Sequence, residues 1–163
     1  MSKWMLLMLI SFSVTASPVA SLNKQGEGDM TYLFWTLYSA EYFTGQTSTT
    51  DAGLSQALRI TYKKSISRQA LLDATYEQWL KLGHSDDRVS DWLTSLSVIW
   101  PDVQPGDQLT LLVTEAGRSE FYLSGDMIGA IPDKKFADAF LSIWLSENTS
   151  EPDLRLQLLG LKQ

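Results

Sequence analysis

The chain has 163 residues, with 19 acidic against 13 basic side chains and a formal charge of −6. That balance excludes a nucleic-acid partner, because phosphate contacts need a basic face. The chain has no cysteine, so no disulfide staples it and no thiolate serves as nucleophile or metal ligand. Burial of six tryptophans, six tyrosines and six phenylalanines must carry much of the stability instead.

The N-terminus is built like a secretory signal peptide. Lys3 gives a charged start, Met5–Val14 is apolar or small, and Val14-Thr15-Ala16 offers the small side chains that a signal peptidase reads. An apolar stretch of roughly ten residues is too short to cross a bilayer, which takes about 20. Residues 1–16 are therefore expected to be removed on export, leaving a periplasmic protein with no stable membrane span. No cysteine follows the cleavage region, so a lipoprotein anchor is excluded.

Residues 17–29 are small and polar, with Gly26 and Gly28, and read as a flexible leader into a single domain over 30–163. Thr31–Phe43 reads as a first strand, with Tyr32, Phe34, Thr36, Tyr38, Ala40 and Tyr42 on one face and Leu33, Trp35, Leu37 and Phe43 on the other. Two rich faces predict a strand covered on both sides. A Thr/Ser-rich turn over Gly45–Gly53 leads to a second strand at Ala57–Tyr62.

Helical spacing follows. From a cap at Ser67, the stripe Leu71, Leu72, Tyr76, Trp79, Leu80 recurs at three-four intervals until Gly83. After the polar His84–Asp87, the positions Val89, Trp92, Leu93, Leu96, Ile99 and Trp100 repeat it up to Pro101. Strands return at Leu109–Val113, Glu120–Leu123 and Met127–Ile131. Asp133 caps a helix bearing Phe136, Phe140, Ile143 and Trp144. Ser150, Pro152 and Asp153 start the last helix. Strand meanders beside helices, without strict βαβ alternation, predict an α+β fold with a mostly antiparallel sheet and helices on one face.

The segment Leu33-Phe34-Trp35-Thr36-Leu37-Tyr38-Ser39-Ala40-Glu41-Tyr42 resembles the aromatic first strand of chalcone isomerase-like proteins. The pieces Leu58–Tyr62, Pro101–Asp107, Phe121–Gly125, Ile143–Leu145 and Leu154–Gly160 follow in that family's order, and the closest subgroup is the bacterial exported one. The resemblance implies an open-faced sandwich with a ligand cleft between sheet and helices. It also implies an arginine just before the first long strand, which serves isomerase chemistry in the plant enzymes and grips a carboxylate in fatty-acid-binding relatives. By spacing from Tyr38 that place falls at Met30, near Glu27 and Asp29. A thioether stabilises neither a phenolate nor a carboxylate. The strand threonine of the plant site is likewise displaced, with Tyr38 standing about where it would fall. The expected function is thus an exported, non-catalytic domain binding a small apolar or fatty-acid-like ligand. The alternatives are a rearranged intramolecular lyase or isomerase, and an envelope assembly protein.

Four residues are candidates for the ligand site. Tyr38 and Tyr42 share a strand face and Tyr62 lies on the neighbouring strand, where three phenols either line a cleft or simply pack the core. Lys63 continues the strand of Tyr62 and is the basic side chain best placed to replace the missing arginine; the plain reading of Lys63, Lys64 and Arg68 is solvated charge. His84 with Asp86 and Asp87 is a poor metal set, since a metal site normally needs three or four suitably spaced ligands. No cofactor is called for. Trp79, Trp92, Trp100 and Trp144 read as core, and Asn148-Thr149-Ser150 as a capping loop.

Overall fold

The computed structural model describes residues 16–46, 53–84 and 87–162. The segment before Ala16 that reads as a signal peptide, the middle of the Gly45–Gly53 turn, and Ser85 and Asp86 of the polar turn lie outside the described residues. Six strands form one antiparallel meander, β1 Asn23–Tyr32, β2 Trp35–Thr44, β3 Gln56–Tyr62, β4 Gln108–Val113, β5 Ser119–Leu123 and β6 Asp126–Ile131, in the spatial order of the sequence. Helices α1 Arg68–Lys81 and α2 Asp87–Ile99 are inserted between β3 and β4; α3 Lys134–Leu145 and α4 Pro152–Leu158 follow β6.

Period-two alternation fixes which side chains meet the helices. Tyr38, Ala40 and Tyr42 of β2 stand opposite Tyr62, Ile60 and Leu58 of β3, and Ile60 and Leu58 stand opposite Leu109 and Leu111 of β4. All of these pack with the helices in one core, at whose centre Trp79, Phe121 and Phe136 are fully buried. Trp79, Trp92, Trp100, Phe121, Phe136 and Phe140 form a web of mostly edge-to-face rings, with centroids 5.4–6.4 Å apart. That is the favoured geometry for aromatic quadrupoles. The Trp79 N–H also donates to the Ala139 carbonyl at 2.9 Å, tying α1 to α3. The opposite sheet face has only a small apolar cap, where Val19 packs with Phe43 and Ala57. The fold is α+β, an open antiparallel sheet with a helical layer, as the sequence predicts.

Three local expectations are corrected. Residues 23–29 are the body of β1, paired along β2 from Asn23 opposite Thr44 to Met30 opposite Tyr38, and are no leader. The glycines there serve close approach. A Cβ on Gly26 would sit 2.0 Å from the Gln157 carbonyl oxygen, and one on Gly28 would sit 2.8 Å from Leu154 Cδ1, so only glycine lets α4 lie against β1.

The expected single strand over 31–43 is instead a hairpin bend. The chain turns at Leu33-Phe34, and Tyr32, Leu33, Phe34 and Trp35 are all exposed rather than covered on both sides. Leu33 adopts φ 55°, a left-handed conformation that β-hairpins normally give to Asn or Gly. The stripe on α1 shifts as well: Leu72, Thr75 and Trp79 are buried while Tyr76 and Leu80 are exposed.

Candidate ligand-binding cleft

Between β1–β4 and the layer of α1, α3 and the α3–α4 connection lies a cleft of about 300 Å³. Met30, Tyr38, Ile60 and Tyr62 form its sheet wall; Leu71, Ala74, Thr75 and Gln78 of α1 face them; Phe140, Ile143 and Trp144 of α3 close the side. The space exists because α1 offers alanine at 70 and 74, where larger side chains would fill it. At the rim, Ser150 donates to Gln78 Oε1 at 2.8 Å, so this residue links the α3–α4 connection to α1 and does not cap α4.

The polar groups of this apolar space are few. The Tyr38 and Tyr62 rings meet edge-on with centroids 6.1 Å apart. The Tyr38 oxygen accepts the Trp144 indole N–H at 3.0 Å, which leaves its own proton free to donate. Burial pushes the Tyr38 phenol up to about 12; the Trp144 bond acts in the opposite sense, and the nearby Glu151 adds to the rise. Burial also raises the Tyr62 phenol, with the neighbouring Tyr38 contributing, and the Tyr62 hydroxyl meets no partner among the described residues. Trp100 lines the same space, but its indole N–H is sealed from solvent and has no acceptor among the described residues. Two protonated phenols offer hydrogen bonds to a neutral oxygen.

No lysine, arginine or histidine lines the cleft among the described residues; the one charged lining residue is Glu151. Met30 lines it directly opposite Tyr38 in the β1–β2 register. The basic residues lie elsewhere. Lys63 is exposed at the end of β3, where its backbone N–H donates to the Leu37 carbonyl at 2.9 Å, and its side chain is not among those lining the cleft. Arg68 is exposed at the start of α1. Arg59 points to the opposite sheet face and grips Glu41 with two hydrogen bonds, at 2.6 and 2.9 Å. That fork, with burial opposing it and Lys24 assisting, holds the Glu41 carboxyl below its ordinary range.

Tyr42 is on the cleft-side face but donates to Gln56 Oε1 at 2.6 Å and does not line the cleft. Of the four candidates, Tyr38 and Tyr62 are brought together in the cleft while Tyr42 and Lys63 stand outside its lining. Trp100 and Trp144, read from sequence as core alone, line the cleft. Their helical stripe is the same for core and for cleft wall, so only the indole N–H geometry separates the two.

A second hollow, wider and more polar, is lined by Glu27, Asp29, Ser39 and Glu41. Its carboxylates are engaged by Lys24, Arg59 and the Ser39 hydroxyl, so it offers a ligand little that is unspent. His84 is half-buried in a loop, and no three or more of His, Asp or Glu gather into a metal-binding group among the described residues.

An open antiparallel sheet with a helical layer and an apolar cleft between them defines the class of protein. The chain belongs to the chalcone isomerase-like family, whose sequence profile matches residues 17–160. It is 25% identical over 158 residues to an uncharacterized protein of Haemophilus influenzae, covering 97% of this chain and 77% of the relative. Its fold is similar to that of a fatty-acid binding protein of Arabidopsis thaliana, with a TM-score of 0.68 at 14% identity, over 91% of this chain and 92% of the other.

Proposed function

We propose that this is an exported, non-catalytic member of the family that holds a small apolar ligand with an uncharged oxygen headgroup, such as an alcohol, ester or ketone. One observation carries the reading: the cleft presents two buried, protonated phenols, while the one charged residue lining it among the described residues is acidic. An ionised carboxylate entering such a space has no countercharge to offset its desolvation, which in proteins costs several kcal/mol. A neutral oxygen meets donors at no such penalty.

Isomerase chemistry is disfavoured for the same reason. A phenol held near 12 is no base at neutral pH, and a forming phenolate would find no cation beside it. Support for a ligand also comes from the family and from the fold shared with a fatty-acid binding protein, although that protein's carboxylate ligand is a different headgroup class.

The binding test is thermal shift against a panel of long-chain alcohols and monoacylglycerols, run on the native chain and on Ala74→Trp, which fills the cleft from α1. The native chain is stabilised and the variant is not; a panel that shifts neither sinks the ligand reading. Naringenin chalcone incubated with the native chain cyclises at its spontaneous rate; clear acceleration overturns the non-catalytic reading.

Export is proposed from the N-terminal sequence, and the family match opening at residue 17 is consistent with it. N-terminal sequencing of the chain from a periplasmic fraction tests it. Cleavage at or within a few residues of Ala16 is expected, and an intact Met1 in the cytoplasm contradicts it.

A further inference from the structure

Independently of any ligand, the β1–β2 hairpin ends in a run of four large apolar residues turned to solvent. Phe34 is 95% exposed, Leu33 74%, Tyr32 63% and Trp35 61%. Elsewhere in the described strands only Met127, at 49%, exposes a large apolar side chain. Single exposed apolar residues are ordinary, but a contiguous projecting set marks an interaction surface. Local folding does not explain the choice of residues. Neither turn residue is a turn former, and Leu33 is held at φ 55°, a left-handed conformation that strains a residue with a Cβ. A Gly or Asn would relieve that strain and remove the apolar tip.

The flank of this tip is basic in a chain of net charge −6. Lys64 lays its ammonium over the Trp35 ring, 4.3 Å from the centroid. Lys63 follows the end of β3, hydrogen-bonded through its backbone to Leu37 of β2, and both lysines are exposed. The nearby Asp102 and Asp107 accept backbone N–H groups of Arg68 and Gln104, so they serve as loop caps.

We propose that the hairpin tip is a membrane-docking finger that seats in the headgroup region of a bilayer containing anionic lipid. Tyr and Trp prefer that depth, because their rings are apolar and their polar edges stay wet. Phe34 and Leu33 reach below it, and Lys63 and Lys64 lie at the level of the phosphates. The tip is convex, which suits a fluid surface better than a protein groove. It also rises from the cleft wall, since Met30 on one arm and Leu37 on the other both line the cleft.

The test is co-sedimentation with vesicles of phosphatidylethanolamine and phosphatidylglycerol, with phosphatidylcholine vesicles for comparison. The native chain, Phe34→Ser and Val98→Ser carry the same N-terminus, so that any binding by the apolar Met5–Val14 segment cancels. Removing Phe34 is expected to weaken binding to the anionic vesicles by about ten-fold. Omitting phosphatidylglycerol or raising salt weakens it further, and Val98→Ser, at an 82% exposed position on α2, leaves it unchanged. Lipids brominated near the headgroup quench more tryptophan fluorescence in the native chain than in Trp35→Ser. Undiminished binding by Phe34→Ser, or no difference in quenching, overturns the proposal. So does a concentration-dependent dimer that Phe34→Ser dissolves while neither chain binds vesicles, which would assign the finger to a second copy of the chain.

Discussion

The two faces of the sheet use the same strands for opposite purposes. On the open face, Glu41 of β2 and Arg59 of β3 stand opposite each other and form a forked ion pair, with Lys24 of β1 also reaching Glu41. On the helical face, one residue along each strand, Ala40 and Ile60 are buried in the core, Ile60 also reaching the cleft wall, and two steps further Tyr38 and Tyr62 open into the cleft. Alternation alone decides that the fixed cation of β3 lies on the side away from the cleft. The contrast teaches that lacking a cation in the cleft is not the same as lacking cations: the sheet has them and presents them to water.

The comparison is broken most severely from the helical face. Trp79→Ala removes a fully buried ring from the aromatic web and its bond to Ala139, and is expected to cost about 3–5 kcal/mol in chemical denaturation.

Next comes alkali. The folded state holds the Tyr38 proton up to about 12, whereas an unfolded tyrosine releases it near its ordinary value of 10.0. The unfolded state therefore binds fewer protons in that window. Stability present below pH 10 falls as pH rises towards 12, by roughly 2–3 kcal/mol for this group. Tyr38→Phe flattens that part of the curve; an unchanged slope contradicts the burial assigned to the phenol.

Gly28→Val places a side chain where Leu154 and Gln157 of α4 already lie, and overpacking of this kind costs about 1–3 kcal/mol. Hydrogen exchange is expected to show α4 loosened before the sheet.

Smallest is the open face. Glu41→Gln weakens the pair with Arg59 and costs about 1 kcal/mol or less. Because the Glu41 carboxyl is held below its ordinary value, its contribution is present above that value and fades as pH falls through the lowered one. Cleft occupancy is unaffected.

Much of this was legible in the sequence where a single rule decided the outcome. Period-two alternation put Tyr38, Tyr42 and Tyr62 on one face, and three-four spacing found all four helices. Spacing from Tyr38 set the family arginine's place at Met30, but that Met30 stands on a paired strand opposite that tyrosine, in the cleft wall, was not readable, because residues 31–43 looked like one strand. What failed were positions where one residue type serves two purposes. Gly26 and Gly28 look like mobility but provide close approach to α4, a partner more than a hundred residues away that local composition does not reveal. Leu33-Phe34 look like strand yet make the turn, because the hairpin is held by ten-residue arms on both sides rather than by turn propensity. Lys63 followed Tyr62 in sequence, but at the strand end its side chain leaves the sheet for solvent. Trp144 was readable as core; its N–H bond to Tyr38, 106 residues distant, was not.

The central claim, that a cation-free cleft with phenol donors selects an uncharged headgroup, is tested most directly by titrating the native chain and Met30→Arg with oleyl alcohol and with oleate at neutral pH. The native chain is predicted to bind the alcohol at least about ten-fold more tightly than the carboxylate, with Met30→Arg reversing the order. Oleate bound by the native chain as tightly as the alcohol would contradict it.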